Sequence, residues 1–430
     1  MTVSREKAAP TSPDHPMARL PDPLMTPQAG TTTRTADRRA GWLVPLCLRE
    51  TALPPNLLLA ARLITLCFIG TGQILHLSSH FLPFVPFFDR IGSPALFHWT
   101  LTAAFLFGTV LLFFTRWSRP ACLLLSGVLF VSLLSSRMYF ENNRTFCACI
   151  LLLIGLSSAR QKPWLVRMQV ALVYFGAALN KVLDPDWRSG QFFAFWFGKI
   201  HNPELWSRIT HVVPGMGIAQ FMDWTVIALE FVLVIGFLVP RFYWWAIWLG
   251  VCYHTSLMVV MNSTFGMFYY AMLISYLAFV KWPEPGALVV YDSDCGFCDA
   301  TRRWFMRSDP EQTFAWTPLQ SAVNRYGIAP EAWKEKLHLI LHGNTFSGFS
   351  AFKVLVLYNP LMYMLFACIA CLQPRVPGYR WLAVATIVLF SAPFAPIGEA
   401  VYRWISRRRH AISPVGCQVA TQREGAGGIG

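Results

Sequence analysis

Apolar runs of about twenty residues recur between residues 57 and 281, and no other feature limits the fold as much. As a helix, such a run rises about 1.5 Å per residue and crosses ~30 Å of hydrocarbon. Eight spans are expected, at 57–77, 96–115, 119–136, 145–159, 164–181, 221–240, 243–262 and 265–281. Only 13% of the chain is charged, about half the share of a soluble domain. The expected class is therefore a polytopic α-helical membrane bundle of about eight spans, over 57–282, with the lipid bilayer as its first partner.

The net charge is +14. Lys and Arg are scattered, not gathered on one module, which argues against a nucleic-acid partner. They favour one side of the bundle instead. With a cytoplasmic N-terminus, the inner side carries Arg34, Arg38, Arg39, Arg49, Arg116, Arg119, Arg160, Lys162, Arg241 and Lys281. The outer side holds Arg90, Arg137, Arg144 and the long 182–220 loop. Short loops set orientation. An even number of crossings then returns the chain to the cytosol, so an inner (cytoplasmic) membrane with a cytosolic C-terminal module is expected. Residues 1–56, rich in Pro, Thr and Arg, read as a disordered cytoplasmic tail. WLVPLCL at 42–48 is expected on the membrane surface, and 413–430 as a loose tail. Within the spans, Arg62 and Arg167 are expected to snorkel from helix ends. Glu230 and His254 lie nearer the middle of adjacent spans, as a buried pair or the lining of a polar cavity.

After Trp282-Pro283 the pattern changes. ALVVYD at 287–292 suits a buried strand, and DCGFCDATRRWFMR suits a helix opening around Cys295. TFAWTPL, an amphipathic piece near 329–336, and the alternating LHLILHGNTFSGF follow, the last turning at Gly343-Asn344. Strand, CxxC helix, strand, helix, hairpin, helix is the order of a small α/β thioredoxin-like domain, here 286–412. A cysteine at a helix N-terminus meets unsatisfied N–H groups and the positive dipole end, both of which favour thiolate. A second cysteine three residues on lies one turn away. Exchange then runs through thiolate attack, a mixed disulfide and resolution. Cys295 is expected as nucleophile and Cys298 as resolver, with Arg302 steadying charge. Asp292 or Asp294 is expected to cap the helix, with Asp292 the alternative proton shuttle. The chemistry needs no cofactor and implies a thiol or disulfide partner.

Rival readings of the cysteines are weaker. His338 and His342 complete a formal CxxC…HxxxH set, but about 39 residues separate the pairs, where a zinc finger has about 12–15. No metal site is assigned. Cys368 and Cys371 lie in an apolar run where cysteines pack, with a relay from Cys295/Cys298 as the alternative. Cys147 and Cys149 read as packing residues. Residues 380–396 are either further spans or a core helix, and the Arg407–Arg409 run suits an anionic leaflet.

Two stretches carry family resemblances. ALVYFGAALNKVLDPDWRSGQ, DWTVIALEFVLVIGFLVPR and CYHTSLMVVMNSTFGMFYYAML resemble the HTTM domain shared with vitamin K-dependent gamma-carboxylases. That resemblance implies Lys181 as a base toward a quinone or vitamin K-like lipid, with Lys181, Trp187, Glu230 and His254 holding it. Tyr291-Asp292-Ser293-Asp294-Cys295-Gly296-Phe297-Cys298, Pro318-Leu319-Gln320-Ser321, LHLILHGNTFSGFSAFKVL and VYRWISRRRH resemble, in order, four blocks of the DCC family of thiol-disulfide oxidoreductases. Ser293 stands where that family has glycine, and strain follows if the position is left-handed. The leading expectation is a membrane-bound thiol-disulfide oxidoreductase coupled to a quinone-like lipid. The alternatives are a carboxylase-like enzyme using Lys181, and a non-catalytic assembly or metal-handling factor.

Overall fold

The computed structural model describes residues 41–412 apart from 79–82, 138–140, 159–162, 202, 214, 261–265, 327–335, 342 and 373–393. The ambiguous stretch 380–396 thus lies almost wholly outside the described residues, as do His342 and most of the 329–336 piece. Each expected span falls on a helix: α1 Pro55–Gly70, α2 Pro94–Phe114, α3 Ser118–Ser135, α4 Asn142–Leu156 and α5 Trp164–Leu183. Three short helices follow, α6 Pro185–Ser189, α7 Gln191–Phe193 and, after a π-helical turn Ala194–His201, α8 Pro203–Val212. Then come α9 Gly217–Leu238, α10 Tyr243–Val260 and α11 Gly266–Ser275, which runs into a 3-10 turn Tyr276–Phe279.

Among the described residues, α2, α3 and α9 are long and apolar enough to cross a membrane. The helices Phe349–Leu357 and Pro360–Cys368, bent by 73° at their junction, make a fourth candidate. The helix α1 has 16 residues and spans roughly 24 Å at the α-helical rise. On length and composition, then, three or four spans are supported where eight were expected. The outer faces agree with lipid contact. Trp99 and Phe107 on α2 and Ile235 on α9 are 64%, 59% and 58% exposed, a pattern that water penalises and hydrocarbon does not.

Arg62 does not snorkel. It is 1% exposed, because its guanidinium has partners inside. Nε donates to Leu112 O at 3.1 Å, Nη1 to Pro45 O at 2.6 Å and Cys47 O at 2.8 Å, and Nη2 to Phe113 O at 3.4 Å. Leu112 and Phe113 end α2, where carbonyls lack intrahelical donors, so Arg62 caps that helix from the side. Arg167 likewise turns inward, donating to Ala278 O at 2.8 Å and lying 5.0 Å from the Tyr243 ring. Arg62→Met is expected to lower stability by about 2–3 kcal/mol, since buried acceptors lose their donors. Thermal unfolding in detergent checks this, and an unchanged midpoint would refute the capping role.

The stretch 42–48 also departs from expectation. Leu46, Cys47, Leu48 and Leu53 are buried, so residues well before 57 pack into the protein. The Glu311 carboxylate accepts from Leu48 N at 2.7 Å and Arg49 N at 2.5 Å. Arg49 donates onward to Pro283 O at 2.6 Å. This polar clasp ties the N-terminal segment to the C-terminal module.

That module holds one mixed sheet in the order β2-β1-β3-β4, with β1 Ala287–Tyr291, β2 Phe314–Pro318, β3 His338–Leu341 and β4 Asn344–Ser347. The strands β1 and β2 run parallel, joined over the helix α12 Gly296–Ser308, while β3 pairs antiparallel with both β1 and β4. β1 is central and buried on both faces, which explains its unbroken apolar run. Gly343, at φ 76°, makes the hairpin turn that a Cβ would strain. The helix α13 Leu319–Tyr326 follows β2 directly, and Phe349–Leu357 follows the hairpin. Strand, CxxC helix, strand, hairpin and closing helix follow in the expected order, while the helix expected near 329–336 lies almost wholly outside the described residues and α13, over the Pro-Leu-Gln-Ser block, was not anticipated.

Candidate functional site

The first candidate site opens where β1 ends. Tyr291 leaves the sheet opposite Pro318 of the parallel strand β2, so the loop 292–295 and the start of α13 sit side by side at one sheet edge. Asp292 Oδ1 accepts from Asp294 N at 3.1 Å, folding the loop on itself. Ser293 Oγ donates to Gln320 Oε1 at 2.9 Å, and Gln320 Nε2 donates to Asp294 Oδ2 at 3.3 Å. Gln320 therefore pins the loop from both sides. Its signal was present in the Pro-Leu-Gln-Ser block, but no role was read from it. Ser293 is not among the positive-φ residues, so the strain considered for it is absent.

Cys295 itself is the N-cap of α12, displacing both aspartates from that expected role. Its Sγ accepts from Cys298 N at 3.4 Å, as a serine hydroxyl would in the same position. Cys295 is 0% exposed, and Cys298 is half-buried. The expected nucleophile is thus the enclosed sulfur and the expected resolver the open one. Arg302 pairs with Asp299 at 2.7 Å and lies 5.5 Å from the Tyr291 ring. Burial lifts the Tyr291 phenol above its usual pKa, with Arg302 opposing. Among the described residues, no group of three or more His, Cys, Asp or Glu converges on a metal-binding point.

The second candidate site is a cavity of about 740 Å³ in the bundle, within the usual range for a ligand pocket. Lys181, Trp187, Glu230 and His254 all line it. Lys181 Nζ lies 2.8 Å from both Glu230 carboxylate oxygens and 4.9 Å from the Trp187 ring. Its partner is therefore Glu230, on a distant helix, and not the neighbouring Asp184 or Asp186. Glu230 also accepts from Tyr253 OH at 2.9 Å. Glu230 and His254 are bound to different partners: the His254 Nε2 meets Tyr174 OH at 2.8 Å, and Tyr174 also meets Tyr276. Most of the remaining wall is apolar, with Phe192, Phe193, Trp196, Phe197 and Trp206 among its rings.

Asp223 was missed. It is 0% exposed and lines the same cavity. One oxygen accepts from Phe193 N at 3.2 Å, while Oδ1 has no hydrogen-bond partner among the described residues. Its signal was spacing: Asp223 and Glu230 are seven residues apart on α9, two turns along one face. A buried oxygen in that state is costly unless something donates to it.

The C-terminal module is thus a mixed sheet whose first crossover helix is capped by the leading cysteine of a CxxC pair. Residues 289–414 match the model of the DCC1-like thiol-disulfide oxidoreductase family. The match covers the C-terminal module, under a third of the 430 residues. No curated protein and no solved structure matches the chain.

Proposed function

We propose that the chain is a membrane-bound dithiol–disulfide oxidoreductase, acting through Cys295 and Cys298 on the cytosolic side and coupled to a quinone-like lipid in the bundle cavity. The observation that carries this reading is the pair itself. Its first sulfur accepts the N–H of its second member at the opening of α12, inside the region that matches an oxidoreductase family. In one cycle the pair closes or opens one S–S bond and exchanges two electrons with a partner dithiol. The lipid side rests on the cavity and on the resemblance of 164–281 to the HTTM domain. The wall is apolar enough for a ring and tail. Lys181, Trp187, Glu230 and His254 would hold the polar head, and the orphaned Asp223 Oδ1 would take a donor from it. When bound, such a lipid supplies a two-electron acceptor or donor. Lys181 Nζ donates to both Glu230 oxygens, which leaves it less free to act as a base. The carboxylase-like alternative is correspondingly less supported.

Sealed vesicles test the thiol chemistry and its sidedness together, because glutathione does not cross the bilayer. Inside-out vesicles are expected to catalyse exchange with oxidised glutathione, and right-side-out vesicles only after permeabilisation. The reverse would overturn the cytosolic placement alone, and silence in both would overturn the function. For the cavity, Ala177→Trp places an indole in its wall. Affinity for a decyl-benzoquinone is expected to fall at least about tenfold, because an added ring removes most of the room a head group needs. Unchanged affinity in a folded variant would rule the cavity out.

A further inference from the structure

We infer that Cys298 is the sulfur that meets the partner, and that Cys295 is the internal leaving group and resolving thiol. This inference rests on the thiol–disulfide reading above and inverts the usual order of the pair. Thiol–disulfide exchange depends on access to the sulfur attacked. Cys295 is 0% exposed, so no outside disulfide or thiolate can approach it. Cys298, one turn into α12, is only half-buried, so of the two it is the one with a share of its surface in reach of a partner.

A second observation points the same way. The Cys298 N–H is aimed at Cys295 Sγ, at 3.4 Å. It is one of the first N–H groups of α12, which have no carbonyl acceptor of their own and lie at the positive end of the helix dipole. Negative charge arriving on Cys295 is received by that N–H without rearrangement. A sulfur that is enclosed and already faced by a donor suits departure better than encounter. Gln320, by holding Ser293 and Asp294, fixes the loop that leads into Cys295.

The steps balance as follows. A partner thiolate attacks Cys298 Sγ of the Cys295–Cys298 disulfide. The S–S bond breaks, its electron pair goes to Cys295, and a partner–Cys298 mixed disulfide forms. The partner's second thiolate then attacks its own sulfur in that mixed disulfide and releases Cys298. The partner dithiol has become a disulfide, and two electrons have moved to the pair. In the opposite direction Cys298 attacks the partner disulfide and one partner thiolate leaves. Cys295 then attacks Cys298 Sγ, closing the internal bond and expelling the second.

The test uses the full chain in detergent, oxidised glutathione as the probe, and peptide mass mapping to locate each adduct. Mapping is needed because Cys368 is exposed. Cys295→Ser and Cys295→Ala should each retain glutathione on Cys298, the alanine variant guarding against a hydroxyl that disturbs the enclosed position. Cys298→Ser should gain glutathione on Cys295 at least roughly tenfold more slowly, as expected for a sulfur without access. In the reduced, unsubstituted chain a short N-ethylmaleimide pulse should modify Cys298 before Cys295. Equal or faster adduct formation on Cys295 in Cys298→Ser, or a pulse that marks Cys295 first, would overturn the assignment while leaving the oxidoreductase reading intact. An unsubstituted chain that performs no exchange at all would remove that reading and the assignment with it.

Discussion

Serine at both Cys295 and Cys298 is expected to bring exchange with oxidised glutathione down to the uncatalysed rate while leaving the fold unchanged. The two halves of that expectation have separate causes. A hydroxyl cannot form or break an S–S bond, so no mixed disulfide can arise at either position. The structural role of Cys295 is to accept an N–H as the N-cap of α12, and serine is among the best residues for that task. The loop that frames the pair does not depend on sulfur. Asp292 receives Asp294 N, and Gln320 bridges Ser293 and Asp294. Thermal unfolding should therefore shift little, within about 1 kcal/mol of stability. Activity that survives in the double variant would place the chemistry elsewhere, with Cys368 the first position to examine because it is exposed.

The module was legible in the sequence because its signals are local. A five-residue apolar run, a turn glycine and two alternating stretches each report a backbone state that neighbours along the chain decide. The helices of the bundle were legible for the same reason, though their apolar length does not by itself establish eight crossings. What could not be read depends on residues far apart in sequence. Arg62 looked like a snorkelling residue because its acceptors at Pro45, Cys47, Leu112 and Phe113 come from two other segments. The 42–48 stretch looked like a surface patch because its anchor, Glu311, lies some 260 residues on. The cavity residues Lys181, Trp187, Glu230 and His254 were named from a resemblance, but the pairing of Lys181 with Glu230, 49 residues on in α9, was not. The burial of Cys295 relative to Cys298 was invisible for a further reason. Two cysteines one turn apart share their local signals, and only tertiary packing makes one fully buried and the other half-buried.

Removing Glu230 is expected to be the most destabilising single change in the bundle. Its carboxylate holds Lys181 Nζ at 2.8 Å through both oxygens and accepts from Tyr253 at 2.9 Å. The two side chains are only 17% and 5% exposed, so water cannot replace the lost partner. Glu230→Ala leaves an ammonium facing an apolar cavity, and breaking a buried pair from one side costs about 3–5 kcal/mol. Part of that cost falls on the lysine, whose nearest alternative partner is Asp223, the other carboxylate of the cavity wall. Glu230→Gln keeps the Tyr253 hydrogen bond and the shape, so it isolates the charge. Removing both charges, as in Lys181→Met with Glu230→Leu, eliminates the penalty, because an apolar pair of similar size needs no compensation. Stability should then recover most of the way, while affinity for a decyl-benzoquinone should not return, since the polar end of the cavity is gone. Thermal unfolding of the single and double variants in one detergent decides the matter. If the double variant is as unstable as Glu230→Ala, the ion pair is not what holds α5 to α9.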